Sequence, residues 1–296
     1  MTTRYRIASL TAPEIASAVS QAIERISSEL RPDVLKAMHE AYAGEDDSRG
    51  RRALDILVQN ALIAAEDGVP LCQDTGTVWV LLEVGEGLWG QTINIPADIF
   101  SEVDASLRWT WQRQGLRNSM LHDALLDRSN TNDNSPAFCD LVMNPDIKGV
   151  RLSVMLKGGG SDNASQIAML APADGWPAIK EFVVGAVSDK GINACPPLVI
   201  GVGIGATFDK VASLAKRALL RNIGESNQNL GLRRYEEELL TAVNGLGIGP
   251  GSLGGKATAL AVNILTAPCH MASLPVAVNI NCSALRSLTY ELVGDF

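Results

Sequence analysis

Four short segments gather side chains that could do chemistry. In Leu71-Cys72-Gln73-Asp74-Thr75-Gly76, a thiol, an amide, a carboxylate and a hydroxyl crowd around what reads as one turn. Asp74 and Gly76 are also ordinary turn formers, and Cys72 reads equally as a core residue. In Lys157-Gly158-Gly159-Gly160-Ser161-Asp162-Asn163, glycines after a strand would let backbone N–H groups approach an anion, with Lys157 adding charge. The spacing is not that of a phosphate-binding P-loop, and a tight turn is the plain alternative. Asn193-Ala194-Cys195-Pro196-Pro197 places two prolines after a cysteine, which fixes the backbone there and removes two N–H donors. It runs into Gly201-Val202-Gly203-Ile204-Gly205-Ala206-Thr207. That G-x-G-x-G spacing misplaces the third glycine of a dinucleotide fingerprint, and no acidic residue follows at the required distance. The fourth is Pro268-Cys269-His270, followed after a short strand by Asn281-Cys282-Ser283. The other two histidines, His39 and His122, read as structural or solvent-facing, and a lone histidine is more often structural than catalytic.

The five cysteines are odd in number and far apart, which does not resemble a disulfide framework. None forms C-x-x-C, which argues against a zinc ribbon or finger. Cys72, Cys195 and Cys282 each fall in a loop beside a strand. Thiolates that converge from such loops could hold a [4Fe–4S] cluster; by spacing alone, buried core thiols remain the alternative.

The elements that must position these residues follow from periodicity. A helix starting near Pro13, capped by Ser9 or Thr11, carries Ile15, Val19, Ile23 and Ile26 at helical spacing. Helices follow over 32–43 and 51–66, so the region to about residue 68 reads as helical. Strands are expected at 77–84, 92–96, 150–157, 197–202 and 274–280, and helices at 99–111, 179–187, 209–220 and 234–243. An Asn-rich loop covers 128–136. The fold class expected is α/β (mixed α+β): a single domain over 1–296, with a helical N-terminal third followed by a mixed sheet with helices.

With 296 residues, 46% of them hydrophobic, the chain can bury a large core. A net charge of −8 argues against nucleic acid as a partner. No apolar run reaches the length of a membrane span, and the N-terminus lacks a signal-peptide core, so a cytoplasmic protein is expected. An acidic chain must bind any dicarboxylate through a local cluster of cations, metal or backbone N–H groups.

Taken in order, LCQDTG, NTNDNSPA, KGGGSDN, NACPP with its glycine-rich strand, and NINCSALR resemble the class I fumarases and L-tartrate dehydratases, from about residue 50 onward. The resemblance implies a [4Fe–4S] hydro-lyase with Cys72, Cys195 and Cys282 as cluster ligands and Cys139 and Cys269 as free thiols. It implies that Asp74 and His270 are catalytic and that Gln73, Arg117 and Gly159 bind substrate, Arg117 by clamping a carboxylate. In this family further carboxylate-binding groups lie in a second, mobile domain. Nothing after Cys282 reads as that domain, so the chain resembles the α subunit of the two-subunit form, needing a β subunit and forming homo-oligomers through this half. Hydration of fumarate to L-malate is the first expectation, favoured by the KGGGS form. L-Tartrate dehydratase and mesaconate hydratase are the alternatives. A glycine-rich nucleotide-binding module and a non-catalytic scaffold subunit are the competing classes.

Overall fold

A computed structural model describes residues 2–6, 11–85 and 98–293. In chain order the first half comprises β1 (Thr3–Arg6), α1 (Ala12–Ser28), α2 (Pro32–Gly44), α3 (Ser48–Asp67), β2 (Thr77–Gly85), α4 (Ile99–Arg113), β3 (Phe138–Asn144) and β4 (Val150–Lys157). The second comprises α5 (Gly159–Asn163), β5 (Gln166–Leu170), α6 (Gly175–Lys190), β6 (Leu198–Ala206), α7 (Phe208–Ala218), α8 (Leu230–Asn244), β7 (Ala259–Cys269), β8 (Leu274–Asn281) and β9 (Arg286–Val293). The fold is mixed α/β, as expected. The strand expected at 92–96 and the cap at Ser9 lie outside the described residues.

Contacts divide the chain into two compact units. One comprises Met1–Arg31, Ala64–Lys157 and Arg286–Phe296; the other comprises Pro32–Ile63 and Gly158–Leu285. The first is built on a five-stranded sheet of order β1-β9-β4-β2-β3, in which β1–β9 and β2–β3 are parallel and β9–β4 and β4–β2 antiparallel. Helices α1 and α4 cover one face. Ile15, Val19 and Ile23 of α1 and Val103, Leu107 and Trp111 of α4 share a core with Val78, Val80 and Leu82 of β2 and Leu152, Val154 and Leu156 of β4. The alternate residues of β2, Trp79, Leu81 and Glu83, are also buried. Burial on both faces explains why this strand reads as an unbroken apolar run. Thr11 sits at the N-cap of α1 in extended conformation but makes no side-chain cap bond.

The second unit carries a four-stranded sheet of order β5-β8-β6-β7, antiparallel except for β6–β7. Ile179 and Val183 of α6 and Leu239 and Val243 of α8 pack with Ile200, Val202, Ile264, Val276, Val278 and Ile280. Asn229 caps α8, its side chain accepting from Gly231 and Leu232 N–H. Among the described residues no helix is long and apolar enough to cross a membrane.

Candidate functional site

The first unit assembles one corner around LCQDTG, between the end of α3 and the start of β2. Leu71 N donates to Ser27 O at 2.8 Å. Asp74 Oδ1 accepts from Gly76 N at 3.1 Å, so the carboxylate shapes its own turn. Arg286, buried at the start of β9, donates from Nη2 to Asp74 O at 2.7 Å. At Gly76 φ is +83°, and a Cβ would stand 2.7 Å from Lys157 O, so only glycine fits. Asn134, fully buried, links two loops: its Nδ2 donates to Gly76 O at 3.1 Å and its Oδ1 accepts from Ser119 N at 2.7 Å. Thr75 Oγ1 and Trp111 Nε1 both donate to Arg117 O, at 2.5 and 3.1 Å. The Arg117 main chain is therefore fixed to the loop of Cys72, Gln73 and Asp74 while its side chain faces solvent. Cys72 and Asp74 are half-buried and Gln73 is exposed. Lys157 is enclosed, with 1% of its surface exposed.

The second unit forms another corner, and sheet topology dictates it. Strands β6 and β8 are antiparallel with Val199 opposite Asn281, and β6 and β7 are parallel with Leu198 opposite Ala259. The start of β6, the end of β8 and the start of β7 thus share one sheet edge. Cys195 lies just before β6 and Cys282 just after β8. Ser283 N donates to Cys195 O at 3.1 Å, joining the two segments. Cys195 is exposed and adopts φ 54°, ψ 72°, a left-handed conformation uncommon for a side chain with a Cβ. The Pro196–Pro197 bond that follows is cis. Cys282 is half-buried. The exposed Gly159 opens α5, whose Gly160 lies against Asn193 O. His270 stands elsewhere. It is exposed in the turn between β7 and β8, with Nδ1 accepting from Ala272 N at 3.1 Å. The length of β8, on the order of 25 Å at about 3.3 Å per residue, separates it from the Cys195–Cys282 edge of the same chain.

The seven non-glycine candidates therefore divide between units: Cys72, Gln73, Asp74 and Arg117 in one, and Cys195, Cys282 and His270 in the other, His270 at the opposite end of β8 from the two cysteines. Among the described residues, no three His, Cys, Asp or Glu side chains come together to hold a metal ion. The donor chemistry fits a [4Fe–4S] cluster. Three thiols sit in loops beside strand ends, and two of those loops are hydrogen-bonded to each other with one cysteine held in a sparsely populated backbone state. Cys139 lacks that setting. Burial, and then the carboxylates of Asp104 and Asp140, push its thiol up to about 12, so it stays protonated. Cys269 is exposed, its thiol donating to Ser273 O at 3.4 Å. His39 and His122 both face solvent.

The glycine-rich strand has a packing role. A Cβ at Gly201 would lie 2.1 Å from Ala215 O, and one at Gly203 2.5 Å from Val211 O, so the backbone of α7 rests directly on β6. Two residues that shape the LCQDTG corner, Asn134 and Arg286, are not evident as such in the sequence, although each lies within a quoted motif, NTNDNSPA and NINCSALR.

The chain matches the family described as fumarate hydratase (Fumerase) over residues 16–291. It is 37% identical over 276 residues to the putative L(+)-tartrate dehydratase subunit alpha of Methanocaldococcus jannaschii, spanning 92% of this chain and 95% of that protein. It is 28% identical over 275 residues to L(+)-tartrate dehydratase subunit alpha of Escherichia coli K12, spanning 91% and 88%. The protein of the same name from Shigella sonnei shows the same similarity.

Proposed function

Since the chain belongs to the fumarate hydratase family, we propose that it is the α subunit of a two-subunit [4Fe–4S] hydro-lyase that removes water from a 2-hydroxydicarboxylate, with L-tartrate the first candidate. The names of the relatives support tartrate over the fumarate-to-malate reaction first expected from the KGGGS segment. Their description as alpha subunits supports a β-subunit partner. The fumarate reading stays as the second, favoured by the family's own description.

One observation carries the proposal: the segments of Cys195 and Cys282, remote in sequence, are joined at one sheet edge through Ser283 N and Cys195 O. With Cys72 these thiols would hold three irons of the cluster. When bound, the cluster supplies an iron without a protein ligand, a Lewis acid for the leaving hydroxyl. The chain's own groups bind and orient. The exposed Arg117 guanidinium takes a substrate carboxylate bidentately. Its fixed main chain limits the entropy lost when the side chain engages. Gln73 offers an amide to the substrate's oxygens, and Gly159 exposes backbone. Asp74 accepts from Gly76 N through one carboxylate oxygen, and its carboxylate is the group proposed to take or hold a proton. His270 is assigned no step at the Cys195–Cys282 edge of its own chain. Loss of water removes a proton from one carbon and hydroxide from its neighbour; with tartrate the enol product tautomerises to a keto diacid.

Coexpression with a candidate β subunit, anaerobic purification and assay of L-tartrate, L-malate and mesaconate tests this. The highest kcat/KM is expected for L-tartrate. A preference for malate and fumarate would favour the second reading, and activity on none of them would contradict the hydro-lyase assignment.

A further inference from the structure

We propose that Glu45, together with the glycine-rich loop 245–258, is the device that holds Cys195 in its left-handed conformation, which makes Glu45 a positioning residue for the second thiol. The inference rests on the proposed role of Cys195 as a cluster ligand.

Glu45 follows the end of α2 and is 1% exposed. Buried carboxylates need hydrogen-bond donors. Its Oε2 accepts from Lys256 N at 2.7 Å and from Ala257 N at 3.4 Å, and its Oε1 accepts from Asp47 N at 3.1 Å. Arg51 donates Nε and Nη2 to Glu45 O at 3.0 and 2.6 Å, fixing the residue from behind. The loop is built to receive this carboxylate. At Gly255 φ is +114°, and a Cβ would stand 2.6 Å from Glu45 Oε2, so any side chain there would displace the anion. Gly254 N closes the loop on Ile248 O at 2.9 Å, and Gly249 N donates to Thr258 Oγ1 at 3.1 Å.

From this anchored end the loop reaches the Cys195 segment at three points. Ser252 Oγ donates to Ile192 O at 2.9 Å, Gly251 N donates to Pro196 O at 2.9 Å, and Leu198 N donates to Thr258 O at 2.8 Å. These bonds bracket Cys195, and Ser283 N takes its own carbonyl. A side chain with a Cβ stays at positive φ only where its surroundings over-determine it. Here the surroundings include that loop as well as Ser283 N, and one buried anion fixes the loop.

The test compares the wild-type full chain with Glu45→Ala, Glu45→Gln and Ser252→Ala, each purified anaerobically and reconstituted with iron and sulfide. Two readouts apply: iron retained per chain on exposure to air, and amide exchange of peptides spanning 192–198 and 245–258. For Glu45→Ala, exchange in both peptides about tenfold faster is expected, as for the loss of a hydrogen bond to a charged group, with faster iron loss and unchanged exchange in β6 and β8. Glu45→Gln, which keeps one acceptor oxygen, should recover part of both. Ser252→Ala removes a single bond at the loop's outer end, and should loosen 192–198 alone; it serves if Glu45→Ala does not fold. Unchanged exchange in 192–198 in the folded variants, or iron retained as in the wild type, overturns the inference. A wild-type chain that takes up no iron contradicts the cluster reading instead, and the exchange data then judge the positioning role alone.

Discussion

Cys139 and Cys195 show how far the surroundings of one residue type decide its chemistry. Cys139 keeps its proton up to about 12 because burial and two nearby carboxylates disfavour the thiolate. The folded chain therefore holds a proton that the unfolded chain releases above 9.0. Its contribution to stability is complete below that pH and is lost as pH rises toward 12. Denaturation midpoints followed from pH 8 upward should fall more steeply for the wild type than for Cys139→Ala. Iodoacetamide should label the exposed Cys195 and Cys269 of the cluster-free chain well before Cys139. Arg117 makes a different prediction. Arg117→Lys should raise the KM for the diacid by about 10- to 100-fold through loss of the bidentate fork, with the melting temperature unchanged because only the exposed guanidinium is altered. The motif residues themselves were legible, since thiol, amide and carboxylate side by side in LCQDTG announce chemistry. Asn134, Arg286 and Glu45 were not. Each acts through a main-chain group far away in sequence, and no local pattern records such a partner.

At the scale of elements, legibility followed burial. Strand β2 and helix α1 were read correctly because their apolar positions recur without interruption. Strands β3, β7 and β9 were not anticipated. β3 is an edge strand whose exposed and half-buried positions alternate irregularly, β7 carries Asn263 and Pro268 within it, and β9 opens with Arg286 and Ser287. The polar residues hold specific partners: Asn263 Oδ1, for example, accepts from Arg221 Nη2 at 2.7 Å. The stretch 201–207, readable as a nucleotide loop, is the latter part of β6 and the N-cap of α7, and its glycines at 201 and 203 admit the backbone of α7. Gly201→Ala should therefore cost about 1–3 kcal/mol, the usual range for overpacking, because the new Cβ meets a backbone oxygen that cannot rotate away. Urea denaturation would measure it. An unchanged midpoint would show that α7 can move off the strand.

At the scale of the whole molecule, the proposed ligands fall on both compact units of the chain, Cys72 on one and Cys195 with Cys282 on the other. The account also expects little turnover without a β subunit, since Arg117 is the one exposed cation among the proposed substrate contacts and a dicarboxylate carries two charges. Adding the partner should raise kcat/KM for L-tartrate by orders of magnitude. The most direct measurement of the central claim is iron and acid-labile sulfide per chain after anaerobic reconstitution, for the wild type and for each of the five Cys→Ser variants. The account predicts about four irons in the wild type, retained in Cys139→Ser and Cys269→Ser and lost in Cys72→Ser, Cys195→Ser and Cys282→Ser. A full complement of iron in any of those last three, or none in the wild type, would contradict it.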